Sequence, residues 1–169
     1  MTLYTQINLF LRAHASKLTS MGTGQVPQQD VSPQQVAKVL TWQSGTAADQ
    51  ADRSYSLADT LSGSEVLSLD LSSGGGLVDA FGAALAFARV KLAYIENTGA
   101  AGAPDLLIGG TLGIVKSGQF LRPGECLLRA VGDATAYPVV NASSDSLTVT
   151  NTSNSDAAEV RLLLVGSSA

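Results

Sequence analysis

From residue 36 onward, short apolar runs alternate with clusters of turn-forming residues, and the period inside the runs is two. Val36–Gln43 is the first run, and in Ser64–Leu71 Val66 alternates with Leu67, Leu69 and Leu71. Leu85–Asn97 is the longest. There Val90, Leu92 and Tyr94 alternate with Arg89, Lys91 and Ala93, which predicts one dry and one wet face. Leu106–Ile108, Cys126–Ala130, Tyr137–Asn141, Leu147–Asn151 and Glu159–Val165 complete the set. In the last, Val160, Leu162 and Leu164 fall on one face and Arg161, Leu163 and Val165 on the other, so its outer face is expected to be partly buried. Ser72–Gly76, Asn97-Thr98-Gly99, Gly109-Gly110, Arg122-Pro123-Gly124-Glu125 and Gly132-Asp133 read as reversals between runs. Only Leu77–Ala88 is long enough to hold a helix in this part, so a parallel βαβ fold is not expected. The pattern predicts a mostly β body over 36–169, an antiparallel β-sandwich that is jelly-roll-like, without an internal repeat of fixed period.

The first 20 residues follow a different period. Leu3, Ile7, Phe10, Leu11, His14 and Leu18 recur at helical spacing, with Thr2 as a possible N-cap. A linker rich in Gly, Pro and polar residues follows, from Ser20 to Pro33. The expectation is a short N-terminal helical arm over 1–35. Leu3, Ile7, Phe10, Leu11 and Leu18 form its candidate partner-binding face, the alternative being a helix packed on its own domain.

Composition changes the picture in one respect. Charged residues are 14% of the chain, against about 25% in a typical soluble domain. Apolar residues are 45%, enough for a core. A surface so poor in charge is either rich in Ser, Thr, Asn and Gln, as this chain is, or partly hidden in an assembly. The net charge of −4 and the scatter of ten basic residues from Arg12 to Arg161 argue against nucleic-acid binding. The start lacks a basic segment followed by an apolar run, and no run approaches the ~20 apolar residues of a membrane helix. Synthesis and folding in the cytoplasm are expected, with no membrane partner.

Candidate chemistry is thin. His14 is the single histidine and Cys126 the single cysteine, so neither a zinc cluster nor a disulfide is expected, and Cys126 reads as a buried, inert thiol. Gly113-Ile114-Val115-Lys116-Ser117-Gly118 has a Lys-Ser pair without phosphate-loop spacing. The carboxylates are dispersed, and the polar stretch from Asn141 to Asp156 lacks calcium-loop spacing. Asn141-Ala142-Ser143 and Asn151-Thr152-Ser153 match glycosylation acceptors by chance. No enzyme, cofactor or metal is expected.

The run from Leu77 to Lys91, LVDAFGAALAFARVK, together with Arg122-Pro123-Gly124, Asp133-Ala134-Thr135-Ala136-Tyr137-Pro138-Val139 and the ending Val165-Gly166-Ser167-Ser168-Ala169, resembles a family of small tailed-phage virion proteins. The likeness covers roughly 42–169 and carries no catalytic residue. It implies a bacteriophage structural protein on the capsid surface of the virion: a decoration or cement protein that binds the major capsid protein and stabilises contacts between capsomers. Self-association accompanies this expectation, with a trimer favoured over a dimer. The alternatives are a tail or head-fibre component binding host surface glycan and, less favoured, a cell-wall hydrolase. Residues 1–35 or a neighbouring sheet edge are the expected contact with the shell.

Overall fold

The computed structural model describes residues 5–11, 15–17, 29–31, 36–48, 50–132 and 136–168. The chain divides into two compact units, Gln6–Thr41 and a larger one that takes in everything described from Trp42 onward.

In the smaller unit, β1 (Thr5–Leu11) pairs with β4 (Val36–Trp42), and β2 (Ala15–Lys17) pairs antiparallel with β3 (Gln29–Val31). Strands therefore stand where the spacing predicts a helix. Ile7, Leu9 and Leu11 also alternate with Gln6 and Asn8, so Thr5–Leu11 satisfies both periods, and pairing with β4 selects the extended one. Of the expected helical face, Ile7, Phe10 and Leu11 lie on β1, while Leu3, Leu18, His14 and Thr2 lie outside the described residues.

The larger unit holds β5 (Arg53–Leu61), β6 (Val66–Asp70), β7 (Arg89–Asn97), β8 (Leu106–Gly110), β9 (Gln119–Leu121), β10 (Cys126–Ala130), β11 (Tyr137–Pro138), β12 (Ser146–Asn151) and β13 (Ala158–Ser167). They form two antiparallel sheets. Sheet A has the order β10-β7-β13-β5, with β11 also on β7, and sheet B the order β6-β12-β8-β9. Among the described residues there is no helix. One hydrophobic core draws on both sheets. Val160, Leu162 and Leu164 of β13 and Val90, Ala93 and Ile95 of β7 enter it from sheet A; Leu147 and Val149 of β12 and Leu106 and Ile108 of β8 enter it from sheet B. Most of these side chains are fully buried, each contributing roughly 1.5–3 kcal/mol relative to exposure.

Two strands escape the sequence pattern. Arg53–Leu61 reads Arg-Ser-Tyr-Ser-Leu-Ala-Asp-Thr-Leu, an edge strand largely exposed on one face, and Gln119–Leu121 is only three residues long. The reading of β7 is also corrected. Its pairing with β13 runs Val165↔Leu92 and then Gly166↔Val90, skipping Lys91. This bulge shifts the alternation by one residue. Val90 therefore faces the core with Ala93 and Ile95, Leu92 and Tyr94 face the other way, and Lys91, expected on the wet face, is wholly buried.

The two sheets repeat one strand arrangement. Replacing β10, β7, β13 and β5 by β6, β12, β8 and β9 converts the order of sheet A into that of sheet B. The hydrogen bonds repeat with it. Asn97 ends β7 and Asn151 ends β12, and both are fully buried. Asn97 Nδ2 donates to the carbonyls of Pro104 (2.9 Å) and Leu121 (3.0 Å), while its Oδ1 accepts from Gly99 N. Asn151 Nδ2 donates to Leu61 (3.0 Å), Ser62 (3.0 Å) and Asp156 (2.7 Å), while its Oδ1 accepts from Ser153 N. The turns alongside match as well. Glu65 Oε2 accepts from Ser62 N and Glu125 Oε2 from Arg122 N, and the third turn residue, Ser64 or Gly124, has positive φ in both. Each Asn closes a corner where the chain passes from one sheet to the other. Equivalent strands follow the same chain order, β5, β6, β7 and β8 answering to β9, β10, β12 and β13, but at unequal spacings, so no fixed-period repeat is visible along the sequence. The glycosylation-like Asn151 is, on this geometry, a buried clamp.

Candidate interaction surfaces

Among the described residues there is no group of three or more His, Cys, Asp or Glu side chains able to hold a metal. Two hollows flank Ala84, of about 340 Å³ beside Asp52, Arg53 and Asp79, and about 450 Å³ beside Arg53, Phe87 and Val139. The acids at the first hold backbone in place. Asp52 accepts from Ser168 N (2.8 Å) and Ser168 Oγ, and Asp79 Oδ1 accepts from Phe81 N (2.8 Å) and Ala83 N (2.9 Å). Cys126, expected to be buried, is exposed, because it opens the edge strand β10 on the face turned away from the core, opposite Glu96.

The surfaces are more informative than the hollows. On sheet B the residues pointing away from the core form rows across the strands. Val66 faces Thr150, Thr150 faces Leu107, and Leu107 faces Phe120. The next row is Ser68, Thr148 and Gly109. Val66 and Phe120 at the two edges are 51% and 58% exposed. Asp70, at one end, is the sole ionisable side chain on this outward face. Ser72 donates to its carboxylate and holds its pKa below the usual value.

On sheet A the outward rows are Cys126, Glu96, Arg161, Ala58 and then Leu128, Tyr94, Leu163, Ser56. Small Ser56 and Ala58 beside Tyr94, Leu163 and Arg161 leave an open hollow of about 390 Å³. Arg161 Nη1 lies 3.4 Å from Glu96 Oε2. Burial, then the neighbouring Glu96, push the Tyr94 phenol up from 10.0 to about 12. The folded state thus holds this proton more tightly than the unfolded chain, so the stability tied to it is intact below pH 10 and lost as pH rises toward 12. In an alkaline titration followed by phenolate absorbance, Tyr94→Phe is expected to remove the last-ionising phenol. An unchanged late transition in that variant would assign it elsewhere.

The third surface is a loop tip. Leu77–Leu85, where the sequence allows a helix, is instead a narrow hairpin closed by the Val78↔Ala84 bridge and by Leu85 N donating to Leu77 O (2.8 Å). Gly82 at φ 82° and the Asp79 carboxylate form its turn, a conformation a helix cannot accommodate. The hairpin presents Phe81, 73% exposed, the most exposed large apolar residue described, with Val78 on its stem.

The expected contact residues of 1–35 contribute nothing that can be placed on these surfaces, and Phe81 and Phe120 were not singled out by spacing. The signal available for Phe81 was the Asp79 to Gly82 turn chemistry, masked by the alanines around it. In comparisons with family models, curated proteins and solved structures, nothing matches this chain.

Proposed function

We propose that this chain is a bacteriophage capsid decoration, or cement, protein, which binds the outer shell as a homo-oligomer and stabilises contacts between capsomers. The body is read as an antiparallel β-sandwich of jelly-roll type. In support, two four-stranded orders, β10-β7-β13-β5 and β6-β12-β8-β9, line one core, and the chain crosses between the sheets at most connections, β8 and β9 being joined within one sheet, as in a jelly roll. The observation that carries the reading is the outer face of sheet B, almost free of charge, with Phe120, Leu107, Thr150 and Val66 in one row. Such a face suits burial against another protein, because desolvating the row from Val66 to Phe120 strands no ion. The resemblance of residues 77–91 to tailed-phage virion proteins points to the major capsid protein as the surface it meets.

The test is co-sedimentation of the full chain with expanded phage capsids that lack it. Saturable binding is expected, and Phe120→Asp, which puts a charge into the contact, weakens it at least about 30-fold. Binding that is absent, or that is indifferent to Phe120→Asp, would sink the reading of this face.

A further inference from the structure

The Phe81 tip and the hollow on sheet A are a knob and a socket on the same molecule. Phe81 stands on a loop already fixed by four backbone or Asp79 hydrogen bonds, Phe81 N and Ala83 N to Asp79 Oδ1, Asp79 N to Ala83 O and Gly82 N to Asp79 O. An anchor so pre-ordered loses little conformational freedom when it docks. A phenylalanine that docks fully removes about 150–250 Å² from water. The hollow is open where β5 carries only Ser56 and Ala58, and its rim is Tyr94, Leu163 and Arg161.

Charge identifies the occupant. The tip carries Asp79, and the socket carries Arg161, whose side chain is 62% exposed. The pairing of Arg161 with Glu96 is a surface contact of the kind worth little, so the guanidinium can turn toward an incoming carboxylate or stack on an aromatic ring. In a chain of net charge −4, copies repel at large, and opposite charges at one contact select a single orientation.

We infer that Phe81 of one copy seats in the hollow formed by Ser56, Ala58, Tyr94, Arg161 and Leu163 of a second copy, so that the chain self-assembles through a knob-and-socket contact. This deepens the self-association in the reading above and rests on it only for the premise that copies meet. Shell binding through sheet B is a separate contact.

Sedimentation velocity of the full chain over a concentration series tests it. The unaltered chain forms an oligomer. Phe81→Ser, which removes the knob, and Ala58→Trp, which fills the socket, each weaken that oligomer at least about 30-fold, while Phe81→Tyr retains it. Both altered positions are exposed, and an unchanged melting temperature and Trp42 emission verify the fold of each variant. A chain that is monomeric at all concentrations overturns the inference. So do oligomers that survive both changes, or that are lost only with Phe120→Asp or with removal of residues 1–41. Capsid co-sedimentation reports on the other contact: self-association through Phe81 without capsid binding rejects the decoration reading alone, and capsid binding by a strict monomer rejects the knob-and-socket contact alone.

Discussion

Replacing Asn151 by alanine is expected to lower the stability of the body by about 3–5 kcal/mol, measured by denaturant unfolding. The side chain is 1% exposed and its Nδ2 serves three carbonyls, those of Leu61, Ser62 and Asp156. Alanine takes the amide donor from the Leu61 and Asp156 carbonyls, while Ser62 O keeps Glu65 N, and frees the corner between β12 and β13. An aspartate there separates hydrogen bonding from size. Asn151→Asp keeps the shape but points a carboxylate at carbonyl oxygens, so it is destabilising at neutral pH. The loss shrinks as pH falls and the carboxyl takes up a proton, because only the neutral form is tolerated in that site. Asn97→Ala, at the corresponding position, is expected to behave alike, since it too takes the amide donor from two carbonyls. A change under about 1 kcal/mol at either position would show the clamps to be incidental.

Lys91→Ala is the second large effect, again about 3–5 kcal/mol. Lys91 is fully buried, and its ammonium donates to the carbonyls of Ala47 and Gln50 at 2.6 Å each. Those bonds pin the segment that joins Trp42 to β5, where Ala51 N also donates to Gln43 O (2.7 Å). The alanine variant loses both bonds and leaves a void along the lysine stem. Trp42 is the single tryptophan, 1% exposed, and stands just before this segment. Its emission is therefore expected to shift to the red in Lys91→Ala, and proteolytic cleavage between 43 and 51 to accelerate. Native emission and unaltered cleavage would place the hold on this segment elsewhere.

The difference between these residues and their sequence signals is instructive. Val160, Leu162 and Leu164 were legible as a core-facing row because a strand buried on one face writes its burial into a period of two. Lys91 was not legible. In sequence it shares an apparently wet side with Ala93, but the register puts Ala93 and Ile95 on the core face, and the bulge opposite Val165 and Gly166 brings Val90 to that face as well. Asn97-Thr98-Gly99 was legible as a reversal, but not as one of a pair of clamps. The partners of Asn97 lie at Pro104 and Leu121, and those of its counterpart at Leu61, Ser62 and Asp156. The N-terminal face through Ile7, Phe10 and Leu11 shows the reverse failure: a helical period was present, and strand pairing overrode it.

By itself, then, the chain determined a β body with antiparallel sheets, its main core strands, most of its reversals and its shortage of charge, since all of these are local consequences of residue type and period. The tertiary structure alone decided the order of the strands, the bulge that brings Val90 to the core face of β7, the correspondence between the two corner asparagines, the charge-free row from Val66 to Phe120 and the Phe81 hairpin. Each of these depends on which distant segments pair and in what register. A one-residue shift in register exchanges the inside of a strand for its outside, and nothing in the local sequence records that choice.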